Sequence, residues 1–183
     1  VNSMAKFKSA LLATLIVASP LVASQAFASS YQVYKGGVWK VSDSTTLTGP
    51  TTATVAGIPI PCTASFTLSV NASGAATVTA ASFSGSSACL GVTAQALPWT
   101  VAAPVAISGS SSVTVNISGI NVKFSSPSAT CTGNASGTLT NANPNTGPAN
   151  NDYTFTAPLS APCTNVKSNP KLTSANPIRA VFP

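Results

Sequence analysis

Asp43 and Asp152 are the only carboxylate side chains in 183 residues, and the chain has neither histidine nor glutamate. A glycosidase needs two carboxylates flanking the scissile bond, so these two are the one candidate pair. Each sits beside turn residues, however, where Asp commonly bonds its own backbone. Serine is abundant, but a nucleophilic serine needs a base, and without histidine only a lysine could serve. Lys35, Lys40 and Lys123 are the candidates for such a dyad, and no Gly-x-Ser-x-Gly elbow accompanies them. Cys62, Cys89, Cys131 and Cys163 are too widely spaced for zinc, which uses close pairs such as Cys-x2-Cys, whereas the shortest interval here is 27 residues. The residues point to no catalytic group, no metal and no cofactor. The expectation is a non-enzymatic protein.

The same cysteines suit disulfides. Four cysteines allow three pairings, and the sequence favours Cys62 with Cys89 and Cys131 with Cys163, because each pair brackets one strand-turn-strand unit. Each bond would be worth ~3–4 kcal/mol in the chain-entropy picture. Disulfides imply an oxidising compartment, and the first residues agree. Lys6 and Lys8 precede an apolar run from Ala10 to Ala18, which Ser19-Pro20 interrupts, and Ala26-Phe27-Ala28 places small residues at cleavage spacing. Residues 1–28 therefore read as a secretory signal peptide cut after Ala28. No later run reaches the ~18 apolar residues of a membrane helix. The expected location is extracellular or on a bacterial cell surface, with no membrane segment after cleavage.

Removing Lys6 and Lys8 from eight basic residues leaves six against two Asp, a net charge of +4. Those six are scattered singly, unlike the clustered Lys/Arg that grip phosphates, so nucleic acid is not an expected partner. Asn71-Ala72-Ser73, Asn116-Ile117-Ser118 and Asn134-Ala135-Ser136 match the N-glycosylation pattern by composition alone. Thr-x-Thr pairs such as Thr77/Thr79 lack the fixed repeat of an ice-binding face and read as solvent-facing strand positions.

The elements that carry these residues alternate with period two. Phe66, Leu68 and Val70 face one way and Ser65, Thr67 and Ser69 the other. Ala76, Val78 and Ala80 repeat the pattern, so Thr63 to Phe83 is a hairpin about the turn Asn71-Ala72-Ser73-Gly74. Val113, Val115 and Ile117 continue as Ile120, Val122 and Phe124 after a phase slip at Ser118-Gly119, the signature of a bulge or tight turn. Gly137 to Thr140 and Tyr153 to Leu159 form a further pair across the turn-rich Asn141–Pro148. Helix signals are nearly absent. The expected fold is all-β: a single disulfide-stapled antiparallel β-sandwich, immunoglobulin-like or Greek-key, over residues 47–183.

The aromatic segment at 29–46 stands apart. Tyr31, Val33, Tyr34, Val38, Trp39 and Val41 are unusually apolar for a terminus. One reading is a first strand docked on its own domain. The other is a donor strand that completes a neighbour's sheet and polymerises the chain. A surface with only 5% charged residues also lacks the gatekeepers that protect sheet edges.

Leu47-Thr48-Gly49-Pro50, Ile60-Pro61-Cys62-Thr63-Ala64-Ser65-Phe66, Ala76 to Gly85, Cys89 and Leu97-Pro98-Trp99 resemble the secreted family of alkane-oxidation protein activators, over roughly Leu47 to Cys163. The resemblance implies an exported bacterial protein tied to growth on alkanes and to cell-surface and biofilm-matrix properties, and it implies no catalytic residues. The functional expectation is a secreted structural or adhesive protein that self-assembles through the 29–46 segment and contacts hydrophobic surfaces such as alkanes. The alternative is a monomeric binding module for a small apolar ligand held between the sheets.

Overall fold

The computed structural model describes residues 28–143 and 149–183. The expected signal peptide lies outside them except for Ala28, as do residues 144–148 of the turn-rich stretch. β1 (Ser30–Lys35) and β2 (Val38–Lys40) form a hairpin, and β3 (Ser44–Val55), β4 (Ile58–Val70) and β5 (Ala76–Gly85) follow as a meander. One helical turn, α1 (Ser87–Leu90), leads into three short strands, β6 (Val92–Gln95), β7 (Trp99–Val101) and β8 (Val105–Ala106). β9 (Val113–Ser125) and β10 (Ser128–Leu139) make a long hairpin. β11 (Asp152–Ala157), β12 (Cys163–Ser168), β13 (Leu172–Ser174) and β14 (Ile178–Val181) complete the described chain.

These strands close into a barrel, which corrects the expected sandwich. β6, β7 and β8 each pair antiparallel with β9 and together occupy one strand position. β12 and β13 share another, and both return to pair with β3. The result is a closed barrel of eight strand positions in up-and-down order, not Greek-key order, with extra strands outside it. Inward and outward residues alternate identically in a sandwich and in a barrel, so the alternation could not separate the two. The deciding contact is the return of β12 and β13 to β3, for example Cys163 opposite Val55.

Bulges help the sheet curl. In the β9–β10 ladder Ile120 pairs with Gly133 and Ile117 with Ala135. Ser118 and Gly119 thus stand against Asn134 alone, and Gly119 adopts φ +77°, the left-handed region that favours glycine. Its N–H is held by the Asn134 side-chain oxygen at 3.3 Å. The phase slip read in the sequence is this bulge, and it keeps both halves of β9 facing inward.

One end of the barrel is capped. β14, β1 and β2 form a three-stranded sheet, from which Tyr31 and Ile178 reach the barrel core beside Leu47, Leu68, Val101 and Val115. Tyr31 is 1% exposed, and its hydroxyl donates to the Ala102 carbonyl at 2.9 Å. The fully buried Asn151 fastens this cap. Its amide donates to the carbonyls of Thr140 at 2.7 Å and Ile178 at 3.0 Å, and its side-chain oxygen accepts the Ile178 N–H at 2.6 Å. The Cys62–Cys89 and Cys131–Cys163 disulfides, with Cα separations of 5.7 and 5.9 Å, both lie toward the other end.

Candidate functional site

The inward rows bring four aromatic rings to the middle of the barrel: Phe66 from β4, Phe83 from β5, Trp99 from β7 and Phe155 from β11. The Phe66 ring centroid lies 6.0 Å from Phe83, 6.2 Å from Trp99 and 6.4 Å from Phe155, all in tilted or edge-to-face geometry. Such arrangements leave gaps, and three voids surround Phe66. The largest, about 70 Å³ of space open to the centre of a water molecule, lies toward the disulfide end among Ile60, Phe83, Val92, Phe124 and Leu159. Two others of about 30 Å³ each share Phe66, Val78, Ile117 and Tyr153 with one another.

The lining decides the chemistry. No ionisable side chain lines the largest void, and its polar residues are Thr51 and Thr52. The Thr51 hydroxyl is committed to the Cys62 carbonyl at 3.2 Å, and the Trp99 indole N–H to the Gln95 carbonyl at 3.0 Å. Apolar cavities of this kind stay dry and accept nonpolar guests.

The two acids are elsewhere, at the capped half, and are occupied. Asp43 accepts from Lys35 at 2.9 Å and from the Ser44 backbone N–H at 2.7 Å; the lysine hydrogen bond, then the backbone one, holds its carboxyl below the ordinary range. Asp152 takes Lys171 at 2.7 Å and the Thr173 hydroxyl at 2.9 Å, and the lysine again is the main cause of its lowered pKa. The acids sit in separate ion pairs on different elements, so the structure does not bring together the pair a glycosidase would need. Burial raises the hydroxyls of Tyr31 and Tyr153 above the ordinary phenol range. Among the described residues no group of three His, Cys, Asp or Glu could hold a metal ion, and no helix is long and apolar enough to cross a membrane.

A sequence profile of the alkane oxidation protein activator PraA/PraB-like family matches residues 4–178. The chain belongs to that family. No curated protein and no solved structure matches it. Membership in the PraA/PraB-like family is compatible with an alkane-related role, and the barrel supplies a lumen of matching polarity.

In this PraA/PraB-like chain the four cysteines pair as the sequence favoured. The six residues of the aromatic segment divide into two sets. Tyr31 and Val33 are buried in their own chain's cap, with Val33 fully inaccessible. Tyr34 and Trp39 pack edge-on at 5.2 Å, and the Arg179 guanidinium lies 4.7 Å over the Trp39 ring. Val38 and Val41 remain exposed, at 50% and 37%. Lys35 and Lys40 stay on the surface hairpin and Lys123 on the outer wall; each is exposed and distant from the lumen. The lumen residues Phe83, Val92, Phe155 and Leu159 carried no assignment from the sequence. For Phe66, Trp99 and Phe155 the signal was the inward phase of their strands; Phe83 is out of phase with Ala76 and Val78 and reaches the lumen only because the β4–β5 register shifts between Leu68–Val78 and Thr67–Ala80.

Proposed function

We propose that this protein is an exported, non-enzymatic binding module that takes up one apolar chain of the alkane class in its barrel lumen. The observation that carries the proposal is the void of about 70 Å³ inside the barrel, lined without an ionisable group and sharing Phe66 with two smaller ones. Export is supported by the two disulfides, which persist in oxidising compartments. The absence of chemistry is supported by the two acids, both committed to lysines.

Equilibrium titration with a dansyl-tagged undecanoate tests it. The expected result is saturable one-to-one binding that decane displaces. Uptake that never saturates, or that grows as particles form, would refute it.

Self-association in a surface matrix is a second reading, supported by a separate observation. Among the described residues β2 pairs only with β1, and its own Val38 is half exposed. An added strand could pair there, although β2 is only three residues long and ends in Lys40. Sedimentation velocity over a wide concentration range distinguishes this from a dispersed monomer.

A further inference from the structure

The barrel wall is not equally knit around its circumference. The ladder between β5 and the broken strand covers only Ala76, Val78 and the residue between them, opposite Trp99 to Val101. Beyond Val78, β5 pairs with β4 alone, and β6 pairs with β9 alone. Among the described residues no backbone hydrogen bond joins Ala80–Gly85 to Val92–Gln95. The other junctions at this height are bridged. β3, β4, β9 and β10 carry long ladders, β11 meets β12 at Ala157–Val166, and β10 meets the chain just beyond β11 through Gly133–Leu159 and three hydrogen bonds between Thr132 and Ser160.

This seam opens onto the largest of the three lumen voids, whose lining includes Phe83 from one side and Val92 from the other. Phe83 is partly exposed, unlike its inward neighbours Leu68 and Val78 on the same hairpin. β5 and β6 approach within 8 Å Cα to Cα, closer than the roughly 9.5 Å that a strand inserted between them would need. A polymethylene chain is thinner than a strand and needs no backbone partner. The seam is framed by α1, which Cys62–Cys89 ties to β4, and by the β7 ladder, so only side chains stand in the gap.

We propose that the seam between β5 and β6 is the lateral portal of the lumen, and that Phe83 is its gating residue. The portal rests on the reading of the lumen as a site for an apolar chain. Swinging the Phe83 ring clears a path from solvent to Phe66 without breaking a ladder bond. On β6, Ala94 shares the inward phase of Val92, and its small side chain keeps the seam passable.

Stopped-flow energy transfer from tryptophan to a dansyl-tagged undecanoate tests the portal. Phe83→Ala should raise the association and dissociation rates together, by about tenfold, with the equilibrium constant moving less than either rate. Ala94→Leu, which narrows the same seam, should slow both rates together. Leu159→Ala, on the far wall, should change the affinity through dissociation alone. Near-unchanged rates in Phe83→Ala and Ala94→Leu, with intact binding by the unaltered protein, would overturn the portal and leave the lumen standing. Absence of saturable binding by the unaltered protein would instead overturn the lumen reading and the portal with it.

Discussion

Phe66→Ala is the most demanding single substitution for the lumen. Its ring is the contact shared by Phe83, Trp99 and Phe155 and borders all three voids. Truncating a fully packed Phe costs ~3–5 kcal/mol. Phe66 already borders empty space, so the low end applies, about 3 kcal/mol, or a Tm loss of about 6–12 °C for a domain of this size. The same change merges voids of about 70, 30 and 30 Å³ with the space the ring vacates. The product exceeds the ~150 Å³ of an engineered apolar cavity that binds benzene. A hydrocarbon present at about a hundred times its Kd then returns ~2.7 kcal/mol. Thermal melts followed by circular dichroism, in plain and decane-saturated buffer, read this directly. The variant should recover most of its lost Tm in decane. Asn151→Ala, destabilised at the cap instead, should recover no more than the unaltered protein gains. Absence of any decane-dependent Tm gain in both Phe66→Ala and the unaltered protein would refute the claim that the lumen holds hydrocarbon.

Asn151→Ala itself removes the side-chain hydrogen bonds to the Ile178 N–H and to the Thr140 and Ile178 carbonyls, and should cost about 2–3 kcal/mol in urea denaturation. Replacing Cys131 and Cys163 together by serine opens a loop with a sequence separation of 32 and should cost about 3.5–4 kcal/mol by the same measurement. Stability should be nearly flat from about pH 5 to pH 9, because the chain has no histidine and the four groups whose pKa the fold shifts, two Asp lowered and two Tyr raised, move away from that window. Both Asp pKa values are lowered from 3.8, so the lysine pairs stabilise above that value and their contribution disappears as pH falls below it. Both buried tyrosines are raised from 10.0, so stability falls as pH climbs past that value. A Tm-against-pH series checks both limbs. Deleting residues 29–46 removes Tyr31 and Val33 from the cap and should lower the Tm of the monomer, which differential scanning calorimetry measures.

Local features of the fold were legible because local residues cause them. The Thr63–Phe83 hairpin follows from alternation around Asn71-Ala72-Ser73-Gly74, where the Asn71 side-chain oxygen accepts N–H groups from Ser73 and Ala75. The Ser118-Gly119 slip marked a bulge because glycine alone takes its φ cheaply. Closure was not legible. It depends on Cys163 meeting Val55, and the cap on Ser30 meeting Val181, across most of the chain, and no local pattern encodes such pairings. The broken strand β6-β7-β8 was hidden for the opposite reason: two to four residues are too few to display a period. The lumen lay in plain sight as Phe66 and Trp99, but inward aromatics read equally well as packed core until the barrel shows gaps beside them.

The lumen also places one tryptophan inside and one outside, Trp99 at 3% exposure against Trp39 under Arg179 on the cap. Bromine quenches indole fluorescence only at close range, so titration with bromodecane separates lumen from surface. Binding in the barrel predicts saturable quenching at one equivalent that persists in Trp39→Phe and disappears in Trp99→Phe. Quenching that survives in Trp99→Phe and vanishes in Trp39→Phe, or that rises without saturation, would contradict it.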